Sequence, residues 1–194
     1  MSPSNNIALY FGTFNPIHIG HMAMANFIVN EGPTKSLWFV VTPQNPLKPA
    51  TGLLPDYQRL ELIRRAIGDD PRFRVTDVEF KLPKPNYTAY TLLKLTETYP
   101  QHRFWLVLGA DNLQNFHKWK NTDYILNNFR ILLLPRPGFH GGEFAHHPAV
   151  ATLNAPQIEI SSTFIRNSIA QGKNIRHFMP ENAWLYMDEM NFFR

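Results

Sequence analysis

The chain contains no cysteine. Disulfides, thiolate metal sites and a cysteine nucleophile are therefore excluded, and the composition suits a reducing compartment, so a cytoplasmic location is expected. No run approaches the ~18 consecutive apolar residues of a membrane-spanning helix, and no membrane partner is expected. The N-terminal Met1-Ser2-Pro3-Ser4-Asn5-Asn6 lacks the basic start and apolar stretch of a secretion signal. A dense Lys/Arg block is also missing. The formal charge of +4 fits small phosphorylated ligands as well as a polynucleotide, and ordinary charge variation explains it too. Repeats, low-complexity tracts and linkers are absent. At 194 residues, 44% hydrophobic and 18% charged, the chain can bury a sizeable core, and a single domain spanning 1–194 is expected.

What is present alternates. Four short apolar runs, Ile7–Phe11, Leu37–Val41, Phe104–Leu108 and Ile131–Leu134, are continuous, as in strands buried on both faces of a parallel sheet. Arg74-Val75-Thr76 and Val78–Phe80 predict a further strand. Between the runs, Pro55–Ile67 places Leu60, Ile63 and Ile67 on one helical face, with Gly68 as a stop. Thr88–Tyr99 repeats that spacing with Leu92, Leu95 and Tyr99, capped by Thr88 and ended by Pro100. The pattern predicts an α/β fold, Rossmann-like and doubly wound, with a mainly parallel sheet and helices on both faces. Ligands of such sheets bind at the carboxyl ends of the strands. Two proline-rich stretches, Thr42–Pro49 and Pro135–Gly138, follow strands and so fall on that edge. Phe139–His147, rich in glycine and histidine, reads as a mobile surface loop. The aromatic tail Asn191–Arg194 is expected to pack on its own domain. The sequence carries no signature of an oligomeric state.

The first run leads into Gly12-Thr13-Phe14-Asn15-Pro16-Ile17-His18-Ile19-Gly20-His21. Asn15-Pro16 marks a turn, and the nearly all-apolar Ile19–Asn30 predicts a well-buried helix. His18 and His21 then project from one side of its first turn, where free N–H groups already favour an anion. Gly20 leaves room for something flat against the backbone. Two satisfied structural histidines are the plain alternative. A zinc site would need a third ligand, and only His146-His147 offer one, so no metal ligand is assigned.

Near the C-terminus, Ile160-Ser161-Ser162-Thr163-Phe164-Ile165-Arg166 sets hydroxyls at a helix start, with Ser162 as the expected cap and a guanidinium one turn later. This arrangement can grip an anion or merely cap a helix. Asp111 follows a buried strand, so its carboxylate can accept from ribose hydroxyls, from an adenine-side donor, or cap the next helix. Trp119, among basic residues, can stack on a flat ring or simply cover the surface.

Taken together these segments resemble a known superfamily. Gly12–His21 is similar to the nucleotidyltransferase signature, (His/Thr)-x-Gly-His, shared by nicotinate-nucleotide, nicotinamide-nucleotide and phosphopantetheine adenylyltransferases and by class I aminoacyl-tRNA synthetases. Ser161–Arg166 resembles the Ser-Ser-Thr-x-Ile-Arg motif of the adenylyltransferases. The synthetases carry a Lys-Met-Ser-Lys-Ser loop and an anticodon-binding region instead, and the chain has neither. Gly109-Ala110-Asp111 followed by Trp119 resembles the nicotinate-nucleotide branch. So do Tyr87-Thr88-Ala89-Tyr90-Thr91-Leu92 beside its Tyr-Thr-x-x-Thr-Leu element, Pro46-Leu47-Lys48 beside Pro-His-Lys, and Arg136-Pro137-Gly138 beside Arg-Pro-Gly. Phe11 replaces the first glycine of the usual Gly-Gly-Thr-Phe, and Asn15 stands where the family commonly has aspartate.

The resemblance implies adenylyl transfer from ATP to nicotinate mononucleotide, giving nicotinate adenine dinucleotide and pyrophosphate. It implies His18, His21 and Arg166 as catalytic residues. Gly12, Thr13, Phe14, Gly20, Asp111, Ser161, Ser162 and Thr163 would bind ATP, carrying its Mg2+. Asn15, Lys48, Tyr87, Thr88, Trp119 and Arg136 would bind the mononucleotide. No nucleic-acid partner is expected. Nicotinamide mononucleotide or phosphopantetheine as acceptor, or a non-catalytic nucleotide-binding regulator, are the alternatives.

Overall fold

In the computed structural model, residues 5–43 and 52–194 are described. Each continuous apolar run forms a strand: β1 Asn6–Gly12, β2 Ser36–Val41, β4 Arg103–Gly109 and β5 Arg130–Leu134. With β3 Phe73–Thr76 and β6 Val150–Thr152 they make a six-stranded sheet, wholly parallel, in the order β3-β2-β1-β4-β5-β6. The continuity has the predicted cause. Along β2, Leu37, Phe39 and Val41 enter one core while Trp38 and Val40 enter the other. β5 divides likewise, with Leu132 and Leu134 facing one core and Ile131 and Leu133 facing the opposite one. A strand covered on both sides has no face left for polar residues.

The helices are α1 Ile19–Glu31, α2 Asp56–Ile67, α3 Thr88–Thr98, α4 Ala110–Gln114, α5 Thr122–Asn128, α6 Ser162–Ala170 and α7 Glu181–Glu189. Apolar residues of α1, α2, α6 and α7 share one core, those of α3, α4 and α5 the other. The doubly wound arrangement is thus present. Among the described residues no helix is long and apolar enough to cross a membrane. Gly68 ends α2 at φ 62°, and its N–H donates to Arg64 O at 3.1 Å. Phe192 of the aromatic tail is buried, edge-on to Tyr186 at 5.6 Å.

Several expectations need correction. Val78–Lys81 is a 3-10 turn, because Thr76 Oγ1 accepts from Val78 N–H at 3.3 Å and Asp77 O accepts from Phe80 N–H at 2.9 Å, which ends the strand. The caps shift by one residue: Tyr87 precedes α3, and Ser161 caps α6 through Phe164 N–H at 3.1 Å. Helix α1 is half-covered, with only Gly20, Ala25, Ile28 and Val29 buried. Its apolar residues on the far side, Ile19 and Ala23, face solvent. The 139–147 stretch folds around a 3-10 turn at Gly142–Phe144, and Phe144 packs edge-on against Phe116 at 5.7 Å. It then leads into β6, a three-residue edge strand that no hydrophobic run announces.

Candidate active site

The strand order reverses between β1 and β4, the topological switch at which a doubly wound sheet leaves a crevice. A cleft of about 810 Å3 opens there, floored by Tyr10–Gly12 of β1 and Val107–Gly109 of β4. Its volume suits a nucleotide-sized ligand.

The β1–α1 loop lays out the histidines. Phe14 adopts φ 45°, unusual for a bulky residue. Its buried ring is fixed edge-on by Tyr10 at 5.7 Å, Phe39 at 5.5 Å and His21 at 5.1 Å. A Cβ on Gly12 would stand 2.9 Å from that ring, so this glycine is where the ring needs space. His18 and His21 stack with ring centroids 3.7 Å apart, and His18 N–H donates to His21 Nδ1 at 3.3 Å. His21, three positions into the helix, thereby satisfies a backbone donor as a capping-box side chain does. Burial lowers the His18 pKa to about 4, with the Arg136 charge adding to the effect. Burial pushes His21 well below its ordinary value, assisted by His18 and Arg136. Both rings are therefore neutral near pH 7. With Nδ1 of His21 accepting, its proton resides on Nε2. The flat group against Gly20 is the His18 ring itself, whose Nδ1 would lie 3.1 Å from a Cβ there.

The second motif is clamped to the first. Ser162 Oγ donates to Pro16 O at 2.8 Å, and Arg166 Nη1 donates to Asn15 O at 2.8 Å. Arg166 Nη2 also reaches Thr163 Oγ1 at 3.3 Å. Two hydrogen bonds to consecutive carbonyls thus set the α6 hydroxyls and guanidinium opposite the histidines. Arg136, from the end of β5, supplies another cation whose field reaches both imidazoles. Beside it Asp111 has a buried Oδ1 without a partner.

The far end is aromatic and polar. Trp119 is half-buried against Phe116 at 5.1 Å, and the Lys120 ammonium stands over Tyr87 at 4.8 Å and Tyr90 at 5.1 Å. Below them Asn86 Nδ2 donates to Glu79 O at 3.0 Å, and Thr91 Oγ1 donates to Glu79 Oε1 at 2.7 Å.

A cytidylyltransferase-like family model matches residues 9–168. A probable nicotinate-nucleotide adenylyltransferase of Flavobacterium johnsoniae is 47% identical over 190 residues, covering 97% of this chain and 98% of that protein. The one from Bacteroides thetaiotaomicron is 44% identical, covering 97% and 95%. The chain belongs to the nicotinate-nucleotide adenylyltransferase family. The fold agrees: a Plasmodium falciparum nicotinic acid mononucleotide adenylyltransferase, solved with NaAD, superposes with a TM-score of 0.78 at 19% identity, covering 97% of both chains.

For a member of this family, the sequence-predicted site residues are well gathered. All of them line the one cleft except Lys48, which lies outside the described residues. Asn15, expected at the mononucleotide, has its amide engaged elsewhere. Nδ2 donates to Gly52 O at 2.8 Å and Oδ1 accepts from Leu54 N–H at 3.0 Å. An aspartate could make only the second of these bonds, which accounts physically for the departure from the family pattern. Phe11 packs partly against the core beneath α3–α5 and also contributes to the floor of the cleft.

Two residues escaped the sequence reading. Arg59 is fully buried and donates to Thr13 O at 2.6 Å, Thr42 O at 2.8 Å, Pro43 O at 3.1 Å and Leu54 O at 3.0 Å, with Asp56 completing the set. It ties together the loops after β1 and β2 and the start of α2. An arginine in a helix with a carboxylate three residues earlier looks like a surface pair, so nothing local betrays it. Glu79 was hidden inside a supposed strand.

Proposed function

We propose that the protein transfers the adenylyl group of MgATP to nicotinate mononucleotide, giving nicotinate adenine dinucleotide and pyrophosphate, a step of NAD biosynthesis. The observation that carries this reading is the pairing of two neutral, stacked histidines with the Arg166–Ser162 clamp across one loop, in a chain 47% identical to a probable enzyme of that name.

The 5′-phosphate of the mononucleotide has a second pKa near ~6, so it is already a dianionic nucleophile and needs no general base. One of its oxygens attacks the α-phosphorus of ATP. The new P–O bond forms as the bond from that phosphorus to the bridging oxygen breaks, and pyrophosphate leaves with the electron pair. The protein's work is alignment and stabilisation of spreading charge. His21 Nε2–H donates to the α-phosphate, with His18 beside it. Neutral donors suit this task, because they neither neutralise the nucleophile nor deliver a proton to it. Arg166 with the Ser161 and Thr163 hydroxyls and the Ser162 backbone N–H holds the β- and γ-phosphates, the Ser162 hydroxyl being spent on Pro16 O. Arg136 sits beside the histidines and serves the phosphate chain more directly than the pyridine. Thr13, Gly12, Phe14 and Gly20 shape the bed, and Asp111 accepts from the ATP ribose. Trp119 stacks on the pyridine ring above the start of α3, where Tyr87 and Thr88 present backbone groups. Among the described residues no three carboxylate, imidazole or thiol groups gather to hold a metal ion. Mg2+ carried by ATP as part of the substrate would screen its phosphate charge.

We further infer that residues 1–194 act as one domain in the cytoplasm, without nucleic acid as partner. The common sheet beneath both cores supports the first point, and the absence of cysteine supports the second. Release of pyrophosphate on mixing MgATP with nicotinate mononucleotide, nicotinamide mononucleotide or phosphopantetheine tests the reaction. No release with any acceptor overturns it.

A further inference from the structure

The mononucleotide end of the cleft contains a carboxyl group that the reaction described above leaves unused. Glu79 is 2% exposed yet lines the cleft. Its Oε1 is taken by the Thr91 hydroxyl, while its buried Oε2 meets no donor in hydrogen-bond geometry, the Thr42 hydroxyl standing near the carboxyl. The neighbouring Asn86 Oδ1 is likewise buried and unpartnered. This pair is joined to the start of α3, since Asn86 bonds the Glu79 carbonyl and the Thr91 hydroxyl also contacts Tyr87 O at 3.4 Å. Free buried oxygens beside a binding surface have a cost unless a ligand or water meets them.

We propose that Glu79 is a specificity-determining residue, its free oxygen admitting the carboxylate of an acid mononucleotide while it carries a proton and favouring a carboxamide once that proton is lost. The proposal rests on the function proposed above and deepens it. The chemistry is that of complementary donors. A protonated carboxyl offers one O–H to an anionic acceptor, whereas an ionised one is acceptor-only, repelling a carboxylate and welcoming an amide N–H.

The surroundings leave this choice to Glu79 itself. From α3 it faces the Thr91 hydroxyl, from the end of β2 the Thr42 hydroxyl, and from the loop before α3 the Asn86 amide. None of these ionises. Asp77 and Lys81 on its own turn pair with each other at 3.7 Å and face solvent. Lys120, across Tyr87, is held in its charged form by Tyr90 and stays cationic through the neutral range. Burial pushes the Glu79 carboxyl up to about 7, with the Thr91 and Thr42 hydroxyls pulling the other way. Both protonation states are consequently populated at working pH.

The test is the ratio of kcat/KM for nicotinate mononucleotide to that for nicotinamide mononucleotide, followed from pH 6 to 8.5. Both acceptors carry the same phosphate and meet the same MgATP, so those titrations and any general loss of folding cancel. The ratio in the wild type should fall roughly tenfold or more, bending near pH 7, and Glu79→Gln should flatten it. Thr91→Val, which removes the hydroxyl donor, should move the bend to higher pH, so the idea does not hang on one variant. If the amide is not turned over, its inhibition constant against the acid supplies the ratio. A flat ratio in the wild type, or the same slope in Glu79→Gln, overturns the role of Glu79 while leaving adenylyl transfer intact. Absence of turnover with both acceptors overturns the proposed function itself, and this inference with it.

Discussion

His18 and His21 are stacked rather than splayed, their ring centroids 3.7 Å apart, and the His18 N–H points at His21 Nδ1. One backbone bond thereby selects the tautomer of His21 and leaves Nε2–H free to donate. The ring edge of Phe14 fixes its orientation from the other side. In His21→Ala that preorganised donor is lost. We expect kcat to fall by ~10²–10³ while ATP affinity changes little. Steady-state kinetics beside equilibrium ATP binding separate the two, and a variant with unchanged kcat and a raised KM would refute the catalytic role.

Gly20→Ala probes the same pair without touching an imidazole. The new methyl would come 3.1 Å from His18 Nδ1 and 3.3 Å from Ile158 Cγ2, forcing the ring to shift. Turnover should drop by up to ~10-fold, less than the ~10²-fold that a full ångström of misplacement costs, since the ring need give only a few tenths of an ångström. The melting temperature should stay near the wild-type value, since alanine favours the helix.

Arg59→Met strips the donors from four loop carbonyls and leaves Asp56 without its partner. The expected loss is about 3–5 kcal/mol in urea unfolding, since several buried carbonyls lose their donor at about 1–3 kcal/mol each. A loss below 1 kcal/mol would show that the loops on the binding edge hold their shape without it.

Asn15→Asp replaces a donor by an acceptor opposite Gly52 O and keeps the bond from Leu54 N–H. Stability should fall by about 1–3 kcal/mol at pH 7. The change restores the residue the family commonly uses, so an unaltered unfolding midpoint would mean that Gly52 moves aside freely.

The buried titrating groups give stability a pH dependence of defined sign. The folded pKa of His18 lies at about 4, below its ordinary 6.5. As pH falls from 6.5 towards 4 the unfolded chain takes up a proton that the folded protein refuses, so His18 destabilises the fold over that window. His21 acts in the same direction. Glu79 acts oppositely: with a folded pKa of about 7 against an ordinary 4.5, the folded protein keeps a proton that the unfolded chain releases, and stability falls as pH rises between them. In urea titrations, His18→Gln should lose less stability than the wild type on acidification from 6.5 to 4. Glu79→Gln should gain on the wild type as pH rises from 4.5 to 7. Parallel curves would remove both assignments.

The sequence by itself determined a great deal, because its signals are local. Short uninterrupted apolar runs bounded by turn residues fit strands covered on both faces, and β1, β2, β4 and β5 follow them within a residue or two. The glycine after α2 and the proline after Tyr99 mark helix ends through backbone sterics alone. His18, His21, Ser161–Thr163 and Arg166 stood out because phosphate chemistry favours those residue types beside helix starts, and the fold brings all of them to one cleft. Where the outcome turned on partners distant in the chain, only the tertiary structure decided. β6 is too short to show periodicity and exists because β5 offers it an edge. Arg59 is the hub of two loops, after β1 and between β2 and α2, that meet only after folding. Asn15 looks like a substrate contact until Gly52 and Leu54 are brought to it. Glu79 becomes chemically distinctive only when α3 buries it and Thr91 leaves one of its oxygens free. Hydrogen bonding and desolvation depend on what surrounds an atom, and in this protein those surroundings are assembled from residues up to 151 positions apart, the separation of Asn15 from Arg166.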